Sequence, residues 1–108
     1  MNTDRELLET AAKAANFTVT WAGDNPPYPR ATLDGHWNPT WNPLENDGDA
    51  LRLAVKLRIE IEPWIHGNSA CARAAVGEIL IDEPHYGDDP GRATRRTIVR
   101  AAAAMVAG

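Results

Sequence analysis

A single cysteine, Cys71, stands in 108 residues, so no disulfide can close within the chain, and such usage fits a reducing cytoplasm. No apolar run approaches the roughly 20 residues that a bilayer-spanning helix needs. The opening MNTDRELLET lacks the basic and apolar regions of a secretory signal. These absences point to a cytoplasmic protein with no membrane partner. His36, His66, His85 and Cys71 show no H-x-x-x-H or C-x-x-C spacing, which argues against a metal site. A phosphate-cradling glycine loop is missing as well, since Gly87 and Gly91 flank a helix start without that pattern. Neither Ser69 nor Cys71 has a histidine placed by a known local signature, so nucleophilic catalysis finds no support. No catalytic residue, cofactor or metal is assigned, and an enzyme is not expected.

What is present describes a soluble globular chain. Apolar residues make up 44% and charged residues 24%, which supports one modest core, and residues 1–108 are read as a single domain. The stretch WNPTWNPLENDGDALRLAVKL, Trp37 to Leu57, draws the most attention. At about 100° per residue, Ala50, Leu51, Leu53, Ala54, Val55 and Leu57 fill an apolar arc of about 200°, wider than a surface helix needs. This helix, over about 48–57, is therefore expected to touch structure on two sides. Asp47 and Asp49 suit its N-terminus, and Lys56 and Arg58 its C-terminus. Proline after each asparagine makes the doubled Trp-Asn-Pro unit an ordered extended or turning loop. Trp37 and Trp41 are expected to wedge against the core. The alternative is a stacking surface for a base, a sugar or a partner side chain.

Two further helices follow from capping and periodicity. Thr3-Asp4-Arg5-Glu6 opens one over about 4–15, with Asn16 as its stop. Asp89-Pro90 opens the other over about 90–106, with Thr94, Ile98, Ala101 and Met105 inward. Strands are expected where Phe17, Val19 and Trp21 alternate with threonine, at Ala31–Leu33, at Arg58–Ile65 with Pro63 marking an edge or end, and at Ser69–Val76. Glu78–Asp82 reads as a fifth short strand or a helical turn, and Glu83 to Gly87 as a loop. The order predicts an α+β fold: an α-β-α sandwich, mainly antiparallel, with one sheet of four to five strands under three helices.

Charge is divided unevenly. Residues 1–89 hold 7 Lys and Arg against 15 Asp and Glu, a balance of −8, while residues 90–108 hold Arg92, Arg95, Arg96 and Arg100 with no acid, a balance of +4. Those four arginines fan over one face of the last helix, where they could meet phosphates or acidic groups by forked hydrogen bonds. The plainer reading is a solvated face helped by Asp88 and Asp89, and the net charge of −4 does not favour nucleic acid. Val99 and Val106 on the same side suggest a protein contact, with homodimer formation through this helix as one form. The pairs Asp47/Asp49 and Asp88/Asp89 are better explained by capping than by acid–base or magnesium chemistry.

The runs WNPLENDGDALRLAVKL (Trp41 to Leu57) and GDDPGRATRRTIVRAAA (Gly87 to Ala103) resemble the small phage and prophage proteins grouped as the phage ABA-sandwich domain family. The resemblance covers about a third of the chain. It implies an α-β-α sandwich of phage or prophage origin, with no activity and no catalytic residues to carry over. The doubled Trp-Asn-Pro unit and the proline-rich turn at residues 26–29 depart from the family. The function expected on these grounds is a non-catalytic accessory protein that binds a host protein or protein complex in the infected cell. Interference with a bacterial defence system such as CRISPR is its most concrete form. The alternatives are a nucleotide-binding sponge, with Trp37 or Trp41 stacking and Arg92, Arg95 or Arg96 holding phosphate; a metal-dependent hydrolase or nuclease using Asp47, Asp49 or Asp88; and a virion component.

Overall fold

Alanine decides which helix can go inside. The computed structural model describes residues 3–24, 27–66, 69–85 and 90–107. Its elements are α1 (Asp4–Ala14), β1 (Thr18–Ala22), β2 (Tyr28–Leu33), β3 (His36–Asn38), α2 (Asp47–Leu57), β4 (Glu60–His66), β5 (Ser69–Val76), β6 (Ile79–His85) and α3 (Pro90–Ala107). Along α3, Ala93, Thr97, Ile98, Val99, Ala101, Ala102 and Ala103 are all buried. These residues face too many directions for one stripe, and their short side chains let neighbouring backbones approach closely. Accordingly α3 packs against β4, β5 and β6 and also against α1 and α2. The one hydroxyl in this buried run, Thr97 Oγ1, is satisfied within the helix by donating to the Ala93 carbonyl at 2.7 Å.

The fold is α+β, with three helices and two three-stranded antiparallel sheets ordered β1-β2-β3 and β4-β5-β6. The single sheet of four to five strands expected from sequence is thus divided in two. Each sheet is an antiparallel meander of three consecutive strands, with the Trp-Asn-Pro loop and α2 intervening in the chain. The first sheet gains a strand that was not expected. Asp34 and Gly35, both at positive φ (51° and 86°), form a two-residue hairpin turn that sets Leu33 opposite His36. In the second sheet the Ile79 segment is a strand. It continues through Glu83–His85, which had been expected in a loop, whereas Tyr86 and Gly87 lie outside the described residues. Pro63 and Pro84 occupy β4 and β6, the two edge strands, as proline's missing N–H requires. Arg73 and Asp82 face each other across β5 and β6, with Arg73 Nε donating at 2.7 Å. That hydrogen bond holds the exposed Asp82 carboxyl below the usual carboxylate range. Its contribution is present above the ordinary carboxylate pKa and fades as pH falls through the lowered one.

The helix ends explain the remaining chain reversals. Thr3 caps α1 by accepting from the Glu6 N–H at 3.1 Å. At the other end Asn16 sits at φ 59°, and the N–H groups of Asn16 and Phe17 return to the Lys13 and Ala12 carbonyls, at 3.1 and 2.8 Å. This is a Schellman motif. α2 ends in the same way, with Arg58 at φ 59° and Ile59 donating to the Ala54 carbonyl at 2.9 Å. Asparagine tolerates that conformation, but arginine is strained in it.

The expectation that the wide apolar arc of α2 is covered, with structure on two sides, is corrected. Ala50, Leu53 and Ala54 are buried, but Leu51 and Val55 are 58% and 69% exposed. The helix clothed on several sides is α3, because its alanines permit close packing and α2's leucines and valine do not. Two stability changes follow. Arg58→Gly should raise the urea midpoint by an amount equivalent to about 0.5–1 kcal/mol. Ala102→Leu should overpack the buried helix and cost about 1–3 kcal/mol in the same measurement.

Candidate functional site

The doubled Trp-Asn-Pro unit folds the same way twice. Asn38 Oδ1 accepts from the Thr40 N–H at 3.0 Å, and Asn42 Oδ1 accepts from the Leu44 N–H at 3.1 Å. Each asparagine closes a turn across its proline, which the proline's fixed φ favours. One carboxylate then joins the two units to α2. Asp49, 3% exposed, accepts from Asn38 Nδ2 at 3.2 Å and from the Asn42 N–H at 2.9 Å, and pairs with Arg52 Nη2 at 3.0 Å. The cap of α2 is Asn46, whose side chain accepts from the Asp49 N–H at 2.9 Å. Asp49 was expected in the capping role and instead holds the loop. Asp47, its expected companion, pairs with Arg95 Nη1 at 2.7 Å. Asp88 and Asp89 lie outside the described residues.

The two indoles take opposite roles. Trp41 is 1% exposed and meets Phe17 edge-on, with ring centroids 6.2 Å apart. It is the core wedge expected of both. Trp37, on the short strand β3, is 55% exposed. Beside it, Leu51 and Val55 of α2 complete an apolar groove of about 650 Å³ between that helix and the β2–β3 hairpin, with Leu33 at its base. Lys56 Nζ donates to Asp34 Oδ1 at 2.8 Å and ties the helix to the hairpin turn across the groove's rim.

The arginines line a different surface. Arg92, Arg95 and Arg96 share a cleft of about 560 Å³ with Arg5 and Trp21, closed by Pro27 and Pro29 and bordered by Asp4 and Glu45. Arg95 donates to the Leu44 carbonyl at 2.9 Å as well as to Asp47, and Arg96 Nη1 donates to Asp4 at 3.1 Å. Arg95 therefore fastens α3 to the Trp-Asn-Pro loop and to α2, and Arg96 fastens it to α1. The Arg5 guanidinium stands 4.6 Å over the Trp21 ring. Arg100 is half-buried and is not among the residues lining this cleft. Val99, expected on the open face beside the arginines, is fully buried, because α3 is packed on that side too. A self-contact built on Val99 is thereby corrected, while Val106 remains 44% exposed.

The stacking-plus-phosphate constellation expected from Trp37 or Trp41 with the arginines is not assembled. One indole is in the core and the other is in the groove. Trp21 is the aromatic that joins the arginines; the alternation of Phe17, Val19 and Trp21 reads as a half-buried strand, and Trp21 is partly buried against the core as well as lining this cleft. Leu51 and Val55 were not expected at a surface, since an apolar residue at helical spacing reads as buried. Among the described residues, no group of three or more His, Cys, Asp or Glu side chains converges in a way that could hold a metal ion, and no helix is long and apolar enough to cross a membrane.

Comparison of the chain with family models, with curated proteins and with solved structures finds no significant match. The resemblance to the phage ABA-sandwich domain thus rests on its two sequence runs. The geometry of the loop makes its own prediction. Asp49→Ala leaves the loop donors without their acceptor and should cost about 2–3 kcal/mol. Trp41→Ala should cost about 3–5 kcal/mol, and Trp37→Ala should stay within about 0.5 kcal/mol of wild type, all read from urea unfolding.

Proposed function

We propose that the protein is a non-catalytic binding protein that docks a partner protein through the groove between the β2–β3 hairpin and α2. One observation carries this reading: Trp37, Leu51 and Val55, each more than half exposed, stand together on one surface. Scattered apolar residues on a surface need no explanation, but a contiguous set with a tryptophan at its centre is the composition of an interface hot spot. The groove is framed by Arg52 and Lys56, both held in ion pairs, which gives it a polar rim around an apolar floor. A partner segment presenting an apolar helix face or a few large side chains fits such a surface.

The likeness to phage ABA-sandwich proteins supports a biological setting for that partner. In this reading residues 1–108 are one sandwich-type domain, made in the cytoplasm of an infected or lysogenic bacterium. The partner is a host protein or complex, with a defence system such as CRISPR its most concrete form. Asp47 and Asp49, the acids that a hydrolase mechanism would need, are engaged with Arg95 and with the Trp-Asn-Pro loop, which supports binding over catalysis.

The test uses tagged wild type and a Leu51→Asp/Val55→Asp double variant in affinity capture from a bacterial lysate. Both substitutions are on the surface, so the two proteins should melt alike, within about 0.5 kcal/mol. Wild type should retain a protein that the variant loses. Retention unaffected by the double substitution, or no retention by either form, would overturn the reading.

A further inference from the structure

The cleft at the start of α3 concentrates positive charge in a chain whose net charge is −4. Among the described residues, four arginines line it, Arg5, Arg92, Arg95 and Arg96, with two acids, Asp4 and Glu45, and Arg95 and Arg96 are ion-paired with Asp47 and Asp4. The placement runs against the helix dipole. α1 and α2 put acids in their first turns, Asp4 and Glu6 in one and Asp47 and Asp49 in the other, as the positive end of a helix favours. α3 has no acid in its first turn and no base in its last. Three of its four arginines, Arg92, Arg95 and Arg96, sit in the N-terminal half, with Arg92 in the first turn, where the dipole disfavours it; Asp88 and Asp89 precede the helix in sequence.

We propose that this cleft binds a small, multiply charged oxyanion of the phosphate class through the guanidinium groups of Arg92, Arg95 and Arg96. The site is independent of the groove beside α2. Spacing at 92, 95 and 96 puts the three arginines on neighbouring turns of one helix face. The bonds from Arg95 to Asp47 and the Leu44 carbonyl, and from Arg96 to Asp4, fix two guanidinium planes in advance. A guanidinium carries five N–H donors in a fork that matches phosphate, so such anchoring orients the group without converting it into a neutral one. Residues of the first turns of both α1 and α3, Asp4 and Arg92 among them, line this cleft. Trp21, with Arg5 over its ring, gives the cleft an aromatic wall, and the volume of about 560 Å³ falls in the range of small-ligand sites.

The full chain would be titrated calorimetrically at low salt with inorganic pyrophosphate and, separately, with ADP. Saturable binding of at least one is expected, weakened about tenfold or more by Arg92→Glu and unchanged by Leu51→Asp in the groove. Arg92 is the exposed member of the three. Arg92→Gln, expected to weaken binding severalfold, keeps the test valid if charge reversal unfolds the protein. Binding of both ligands assigns the site to the phosphate alone, and binding of ADP only assigns it to a nucleoside phosphate held with help from the Trp21 wall. Absence of saturable binding at millimolar ligand, or affinity indifferent to both Arg92 substitutions, would overturn the proposal.

Discussion

A carboxylate taken out of water has to be met by donors, and the Asp49 side chain is where this protein meets that constraint. Its donors come from three places in the chain: the end of β3 through Asn38, the second Trp-Asn-Pro unit through the Asn42 backbone, and α2 itself through Arg52. Satisfying one buried charge therefore fixes how the hairpin, the loop and the helix stand relative to each other. The consequences reach both candidate surfaces. Trp37 is placed beside Leu51 and Val55 because Asn38, its chain neighbour, is bonded to the helix that carries them. Leu44 and Asp47, whose carbonyl and carboxylate orient Arg95 at the cleft, belong to the same ordered run.

The second constraint is steric. A helix can be covered on several sides only if its side chains are short enough, and the alanines of α3 meet that condition. With α3 against β4, β5 and β6 and also against α1 and α2, the strands on either side of the Trp-Asn-Pro loop remain separate sheets. The arginines are then confined to the margins of a helix whose middle is occupied by packing. This explains why Arg95 and Arg96 double as fasteners and why Val99 is unavailable to a second molecule.

Much of the scaffold was legible in the residues, for reasons that are local. Thr3 before Glu6, Asn16 after the first helix, the alternation from Phe17, and the placement of Pro63 all act within a few residues of themselves, and each has the expected structure. The misreadings concern tertiary choice. Periodicity measured how apolar α2 and α3 are, but it could not tell which of them would be enclosed, and side-chain size was the deciding signal. Asp34-Gly35 carried a hairpin signature that should have yielded β3, had the short His36-Trp37-Asn38 run been read as a strand. Trp37 and Trp41 look equivalent in sequence, and only the strand beneath one and the core beneath the other separate them. For the candidate sites, the arginine cluster was visible as spacing, whereas Trp21 and Arg5 join it only through the fold.

The prolines of the second sheet carry one more consequence. Both of its open margins, β4 and β6, include a proline within the strand. Edge prolines sit with the nitrogen turned to the unpaired side, so an incoming strand finds a missing donor on either flank. A sheet of small residues such as Ala70, Ala72, Ala74 and Ala75 would otherwise be an inviting template for fibril-like stacking. The prolines thus work against uncontrolled polymerisation at both borders.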